Sequence, residues 1–147
     1  MQNYQHLLLA TEFSDQDLQV AQKARNIADQ NHAKLSLIHI LDNIPMPDTQ
    51  YGTIIPLDQP SNDPLLEAEK TKLNTFADKF DIAPDSRWLV WGVPKQEIIP
   101  IAESEQVDLI VVGCHGRHGL ALLFDSTADG LLHRAKCDVL TVRIPEA

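Results

Sequence analysis

The glycine-rich run from Gly113 to Gly119 follows directly after the apolar segment 108–112 and is the part of the chain best suited to chemistry. A strand that ends in a glycine-rich loop and leads into a helix can turn backbone N–H groups toward an anion, and the helix dipole adds partial positive charge there. His115, Arg117 and His118 either contact such an anion or form a solvated loop tip. The sequence therefore predicts a phosphate site at this loop.

The predicted entry to the following helix, Asp125-Ser126-Thr127, works against that site. One more glycine and no acid would suit a phosphate there. Ser126 adds a Cβ where backbone must approach closely, and a left-handed conformation at that position would cost about 1 to 2 kcal/mol. Its hydroxyl can offset part of this by capping the helix. Asp125 repels a phosphate unless a divalent metal intervenes or its side chain points away. The sequence therefore leaves two alternatives, a weakened phosphate site and a loop that binds no phosphate.

The cysteines and histidines elsewhere in the chain are interpreted as structural residues rather than as nucleophiles or metal ligands. Cys114 and Cys137 are too far apart for a CxxC pattern and are expected to be reduced thiols, with Cys114 filling space beside the loop. The six histidines show no HExxH or other metal-ligand spacing. His39, near the end of an apolar run, is interpreted as a hydrogen-bonded core histidine. We predict no catalytic residue and no protein-bound metal.

Composition limits the class of protein. A chain of 147 residues with 44% hydrophobic content suits one domain, residues 1–147. The net charge is -9 and no Lys/Arg cluster is present, so nucleic acid is not expected as a partner. No segment approaches the roughly 18 apolar residues of a membrane span, and the N-terminus has no basic region before its apolar run. We therefore expect no membrane partner and a cytoplasmic location.

Apolar runs bounded by turn residues alternate with segments of helical period. Near-continuous apolar strands are typical of a parallel sheet covered on both faces. The five strand candidates are Leu7 to Ala10, Leu35 to Leu41, Arg87 to Trp91, Leu109 to Val112 and Val139 to Val142. The alternation predicts a single-domain α/β fold with a doubly wound, five-stranded parallel sheet, Rossmann-like, in the strand order 3-2-1-4-5 with helices on both faces. Ligands bind such sheets beyond the carboxyl ends of the strands, where the order reverses.

Four helices are expected between these strands. The first is capped at Ser14, with Asp17 at capping-box spacing, and the second begins at Asp63-Pro64. The third opens near Pro94, but Pro100 should kink it or delay its start. The fourth runs from about residue 126 to residue 135. Residues 42–62 hold four prolines and no period, which predicts either a functional lid or a partly disordered surface loop.

Several segments together resemble the universal stress protein family over essentially the whole chain. Each is short and weak alone, but the set covers nearly every predicted element. They are His6 to Asp15, Leu37 to Ile40, Gly92 to Pro94 before Glu97-Ile98, Asp108 to Gly113, and Cys137 to Leu140.

The resemblance implies a site for ATP or AMP, with Mg²⁺, between the first and fourth strands. ATP-binding members show glycine, two residues, glycine, nine residues, then glycine followed by Ser or Thr. This chain has Gly113, Gly116 and Thr127 in place but Ser126 at the third glycine, and Glu12 where the family usually has Asp. By position, the implied nucleotide-binding residues are Ala10, Thr11, Glu12, Ile40, Val112, Gly113, His115, Gly116, Arg117, Ser126 and Thr127.

Two functional hypotheses follow. The first is a regulatory stress-response protein with a weakened nucleotide site that at most hydrolyses ATP slowly. The second is a homodimeric interaction protein of the same family that binds no nucleotide, acting on an unknown protein partner. The resemblance implies a homodimer through the last strand, Asp138 to Arg143, whose exposed edge would need covering. A dedicated enzyme is not supported, because Thr11 to Asp15 lacks a serine- and glycine-rich loop.

Overall fold

The computed structural model describes residues 3–42, 52–114, 130–131 and 133–144. Strands and helices alternate through most of this part of the chain, and residues 130, 131, 133 and 134 are helical as well. The elements are β1 (His6–Ala10), α1 (Asp17–Asn31), β2 (Lys34–Leu41), β3 (Thr53–Ile54), α2 (Pro64–Lys79), a short 3₁₀ helix (Pro84–Ser86), β4 (Arg87–Trp91), α3 (Pro94–Ser104), β5 (Leu109–Cys114) and β6 (Asp138–Arg143).

The strands form one sheet in the order β3-β4-β2-β1-β5-β6. The five predicted strands are all present, and the order 3-2-1-4-5 is confirmed because they correspond to β4, β2, β1, β5 and β6, all parallel. Leu8 of β1 lies opposite Ser36 on one side and Ile110 on the other. The sheet order reverses at β1, so the carboxyl ends of β1 and β5 flank the expected ligand position.

The predicted count of five strands is wrong, because β3 adds a sixth. It pairs antiparallel to β4 within residues 42–62, which the sequence marked as a loop. Gly52 turns the chain with φ of 88° and donates its N–H to the Trp91 carbonyl at 2.7 Å. The Ile55 N–H donates to the Leu89 carbonyl at 2.7 Å. The pairing covers part of β4, which would otherwise present open backbone groups at the sheet edge.

Two of the helix starts follow the sequence signals. The Asp63 side chain accepts from the N–H groups of Leu65 and Leu66, as expected of a cap before Pro64. Helix α3 begins at Pro94 without delay and continues through Pro100. Helix α1 differs, because it begins at Asp17 rather than directly after Ser14.

The core has two parts, one on each face of the sheet. Helices α1 and α2 cover one face, and α3 covers the other together with Leu131. The largest fully buried side chains are Leu7, Leu8, Leu9, Leu37, Ile38, Leu41, Leu73, Ile82, Leu89, Ile98, Ile110 and Leu131. In the segments described, no helix has the length and apolar character needed to cross a bilayer. The buried sheet forms a rigid platform for whatever lies at its carboxyl edge.

Candidate functional site

A narrow cleft of about 30 Å³ lies at the carboxyl edge of β1, β2 and β5. Five of the sequence-predicted site residues meet here, although they come from three separate strands and the loop after β1. The lining residues are Ala10, Thr11, Glu12, Ile38, His39, Ile40, Pro94, Ile98 and Val112. The start of α3 supplies Pro94 and Ile98, so one wall of the cleft is apolar.

A wider cavity of about 380 Å³ lies beside the cleft. It shares Glu12, His39 and Ile40 with the cleft and extends to helix α2. Carboxylates and one lysine give it a polar character. Its lining residues are Glu12, Phe13, His39, Ile40, Asp42, Glu69 and Lys72. The two cavities together offer an apolar end and a polar end at the same edge of the sheet.

The buried carboxylate of Asp17 organises the loop between β1 and α1. Asp17 is 2% exposed, and its Oδ2 accepts from the Thr11 hydroxyl at 3.0 Å, the Glu12 N–H at 2.9 Å and the Ser14 N–H at 3.4 Å. In return, the Asp17 N–H donates to the Ser14 hydroxyl oxygen at 3.2 Å. The predicted capping-box contacts therefore form, although the regular helix starts three residues after Ser14. Asp17 also fixes two residues that line the cleft.

Phe13 adopts an unusual backbone conformation in the same loop. Its φ is 66°, in the left-handed region that L-residues rarely occupy. Its ring lies 4.3 Å from the ring of His39 and 5.5 Å from that of Phe76, measured between centroids. These ring contacts and the N–H bond from Phe13 to the Thr11 hydroxyl oxygen, at 3.0 Å, hold the strained turn in place.

His39 connects this loop to helix α2. The Nδ1 atom of His39 lies 2.7 Å from the Thr11 carbonyl oxygen, and Nε2 lies 3.3 Å from Oε2 of Glu69. Burial lowers the pKa of His39 from its ordinary value of 6.5, against the opposing effects of the Thr11 carbonyl, Glu69 and Asp42. The prediction of a hydrogen-bonded core histidine is confirmed, but the ring also lines both cavities.

Gly113 has a structural role apart from any ligand. It is buried in β5, opposite Val142 of β6. A Cβ at this position would lie 2.6 Å from Cδ1 of Ile144 and 3.0 Å from Cγ2 of Val20. Core packing therefore already requires glycine here, whether or not a phosphate approaches the loop that follows.

The remaining predicted site residues lie outside the described residues. They are His115, Gly116, Arg117, Ser126 and Thr127. Asp125 is also outside. Among the residues described, no group of three or more His, Cys, Asp or Glu side chains is arranged to hold a metal ion. Burial raises the pKa of the Cys137 thiol.

Three residues at this edge were not identified as site residues from the sequence. The sequence indicates Asp17 only as part of a helix cap, and Phe13 carries no signal for a positive φ. Glu69 lies on α2, and nothing in its local sequence indicates contact with β2. Glu69 reaches the carboxyl edge because of where α2 packs on the sheet, and the local sequence of residues 64–79 does not determine that position.

The comparisons with known proteins agree with this geometry. The sequence profile described as the Universal stress protein family matches residues 3–143. The chain therefore belongs to the universal stress protein family. It is 38% identical to Universal stress protein A homolog 2 of Coxiella burnetii over 98% of each chain. It is 32% identical to homolog 1 of the same organism, over 98% of this chain and 99% of that one.

Solved structures support the same fold. A universal stress protein in complex with cAMP superposes with a TM-score of 0.71 and 23% identity, covering 97% of this chain and 98% of that one. The protein MJ0577 superposes with a TM-score of 0.71 and 21% identity, covering 98% of this chain and 99% of the other. At 21 to 23% identity, the superposition shows a common fold, and the bound cAMP is a property of the neighbouring structure alone.

Proposed function

We propose that this universal stress protein is a regulatory protein that binds an adenine nucleotide, ATP or AMP, at the carboxyl edge between β1 and β5. One observation carries the proposal: Ala10, Thr11, Glu12, Ile40 and Val112 all line one cleft that continues into a larger cavity. A structural neighbour that holds cAMP supports the choice of ligand class.

The apolar side chains of Ile38, Ile98 and Val112 suit a base, and the cleft must widen to admit one because its volume is about 30 Å³. The backbone of Ile40 suits hydrogen bonding to that base. Successive residues of a strand direct their backbone groups to alternate sides, so Ile40 faces the same side as Ile38. Ile38 still accepts from the Thr11 N–H, whereas β1 has ended before it reaches Ile40.

The phosphates would extend toward Gly113 and the loop after it, with His115, Gly116, Arg117, Ser126 and Thr127 as predicted contacts. Mg²⁺ would accompany the phosphates and reduce their repulsion by Asp125. Because Ser126 and Glu12 depart from the family's ATP-binding pattern and Asp125 would repel the phosphates, we expect affinity to be weakened. The proposed activity is regulation by occupancy, with slow ATP hydrolysis at most and a cytoplasmic location.

Calorimetric titration with ATP, ADP and AMP, with and without Mg²⁺, tests the proposal. Ala10→Phe fills the cleft and should weaken nucleotide binding by more than about tenfold, a change of about 1.4 kcal/mol. Ala83→Phe is the matched control, since Ala83 is exposed and outside both cavities. Failure of the folded wild-type protein to bind any of the three nucleotides would contradict the proposal.

The second candidate function, a homodimeric interaction protein without nucleotide, is favoured by the edge of β6. In the described part of the chain, β6 is the last strand of the sheet. Thr141 and Arg143 are exposed on it, and Val139 and Leu140 are half-buried. A parallel-sheet edge with this composition offers open backbone groups and apolar surface to a second copy of the chain. We propose a homodimer through Asp138–Arg143.

Light scattering tests this interface directly. In an isologous dimer, Thr141→Lys places two like charges near the twofold axis and should convert a two-chain particle into a single chain. Thr71→Lys makes the same change on the exposed face of α2 and should leave the mass unchanged. A wild-type protein that is a single chain at all concentrations would rule out the dimer. A stable dimer that binds no nucleotide would favour the second function over the first.

A further inference from the structure

The imidazole of His39 lies between two groups that offer hydrogen-bond acceptors. A backbone carbonyl can only accept, so the Nδ1 atom that lies 2.7 Å from the Thr11 oxygen must carry the proton. In the neutral ring, Nε2 then presents a lone pair to Oε2 of Glu69 at 3.3 Å. A carboxylate offers no proton in return. Neutral His39 therefore forms a hydrogen bond to the Thr11 carbonyl but none to Glu69.

A second proton on His39 would satisfy both contacts. The imidazolium donates from Nδ1 to Thr11 and from Nε2 to Glu69, forming a charge-assisted hydrogen bond. Burial opposes this charge, because the His39 side chain is only 11% exposed and that of Glu69 only 16%. The balance lowers the pKa of His39 below its ordinary 6.5, which places proton uptake on the acid side of neutrality.

The charges around the ring come from three directions. The wider cavity brings Glu12 and Asp42 from the ends of β1 and β2, and α2 supplies Glu69. Lys72 also comes from α2, where its Nζ lies 3.3 Å from Oε1 of Glu69. The Lys72 side chain is 61% exposed, so solvent screens much of its effect. Three carboxylates against one lysine offset part of the burial that disfavours the charged imidazole.

The protonation state of His39 can change the shape of the cleft through two contacts. The hydrogen bond to the Thr11 carbonyl acts on a residue that lines the cleft. The ring also lies 4.3 Å from Phe13, whose backbone is held in the left-handed region. A change in the contact with Glu69 therefore acts on the turn that carries Glu12.

We propose that His39 and Glu69 are positioning residues that form a proton-linked pair, which sets the geometry of Thr11 and Phe13 and strengthens nucleotide binding as the pH falls. The nucleotide part of this inference rests on the proposed function. A cation at His39 attracts an anionic nucleotide, and by reciprocity the bound nucleotide favours the proton. Affinity should rise about tenfold for each pKa unit by which the nucleotide shifts His39.

The free protein tests the pair without any ligand. Imidazole ¹⁵N NMR should show a neutral Nδ1–H ring above neutral pH and a second proton on acidification, together with shifts in the Thr11 and Phe13 amide signals. In Glu69→Gln, the side-chain amide can donate to Nε2 of the neutral ring. That variant should hold the ring neutral to lower pH and remove the linked amide shifts.

Glu67→Gln is the matched control, because Glu67 lies on the same helix and pairs with Lys70 and Ser61. It should titrate like the wild-type protein at His39. If His39 has the same titration curve in the wild type and in Glu69→Gln, the pair does not exist and the inference is overturned.

Calorimetry with AMP then tests the link to the site. Between about pH 7.5 and about pH 5.5, affinity for the wild type and for Glu67→Gln should rise about threefold or more, with proton uptake on binding. Glu69→Gln should lose most of this dependence. Equal pH dependence in all three proteins would overturn the link. Absence of AMP binding together with an intact NMR titration would contradict the proposed function and leave the proton-linked pair standing.

Discussion

Two buried histidines at opposite edges of the sheet differ in whether both ring nitrogens of the neutral form have a hydrogen-bond partner. At the amino edge, Nδ1 of His6 donates to the Glu105 carbonyl at 2.9 Å, and Nε2 lies 2.6 Å from the Ser36 hydroxyl oxygen. A hydroxyl can donate, so neutral His6 has a partner for each nitrogen. At the carboxyl edge, Nε2 of His39 meets the carboxylate of Glu69, which cannot donate.

The backbone near each histidine differs in the same way, with matched hydrogen bonds at the amino edge and a strained turn at the carboxyl edge. At the amino edge, the Asp108 carboxylate accepts from the N–H groups of Gln5 and His6 at 2.8 and 3.0 Å. At the carboxyl edge, Asp17 accepts from three donors, yet the loop it holds contains Phe13 at a positive φ and borders two cavities. Strain and unmatched polar groups are tolerated where a surrounding network holds them, and such places are typical of functional sites. The amino edge thus has matched hydrogen bonds, whereas the proposed nucleotide site lies at the carboxyl edge with its strained turn.

The largest expected effect comes from removing the network at the carboxyl edge. Asp17→Ala leaves the Thr11 hydroxyl and the Glu12 N–H without their acceptor, and the free energy of unfolding should fall by about 3 kcal/mol. Urea denaturation followed by circular dichroism measures this loss. Amide hydrogen exchange should also rise at residues 11–14 before it rises in β1.

Asp29→Ala is the control, since the Asp29 side chain is 64% exposed and pairs with Arg25 only across one helical turn. It should change the free energy of unfolding by about 0.5 kcal/mol or less. If both variants lose the same small amount, Asp17 does not hold the loop, and the contrast between the two edges fails at its strongest point.

Most of the fold could be predicted from the sequence because apolar runs mark buried strands wherever they occur. The runs at Leu35 to Leu41 and Arg87 to Trp91 gave β2 and β4 almost to the residue. The strand β3 has two residues, both exposed, and it exists through pairing with β4. Local pattern holds no information about such a partner, so the sixth strand could not be predicted.

The site was only partly predictable for a related reason. Thr11 follows β1 and reaches the carboxyl edge by topology alone, so its place at the cleft was expected. Ile40, near the end of β2, was indicated by the family resemblance. Glu69 reaches the carboxyl edge because Leu66, Leu73 and Phe76 seat α2 on the sheet at a particular position along its axis. The resemblance to a family pointed to residues that line the cleft, whereas the contact between His39 and Glu69 could be found only in the packed structure.

The smaller expected effect comes from a substitution that leaves Nε2 of His6 without a hydrogen-bond donor, as Nε2 of His39 already is. Ser36→Ala removes the donor to Nε2 of His6 and should lower the free energy of unfolding by about 1 to 2 kcal/mol at neutral pH. In the wild type, burial lowers the pKa of His6 in the folded state below 6.5, so the unfolded state binds more protons in that interval. The stabilising contribution is full above pH 6.5 and is lost as the pH falls through the folded value.

The Ser36 hydroxyl can donate to Nε2 of neutral His6 and can accept from Nε2 of the protonated ring, so Ser36→Ala removes a partner from both forms. The loss of stability should therefore persist from neutral to acid pH, which urea denaturation at a series of pH values measures. Ser104→Ala is the control, because that hydroxyl donates only to the Ile101 carbonyl within α3 and its loss should cost about 0.5 kcal/mol or less at every pH. A loss in Ser36→Ala as small as that in Ser104→Ala would mean that the Ser36 hydroxyl does not stabilise His6. The distinction between the two edges would then lie in the backbone and not in the histidines.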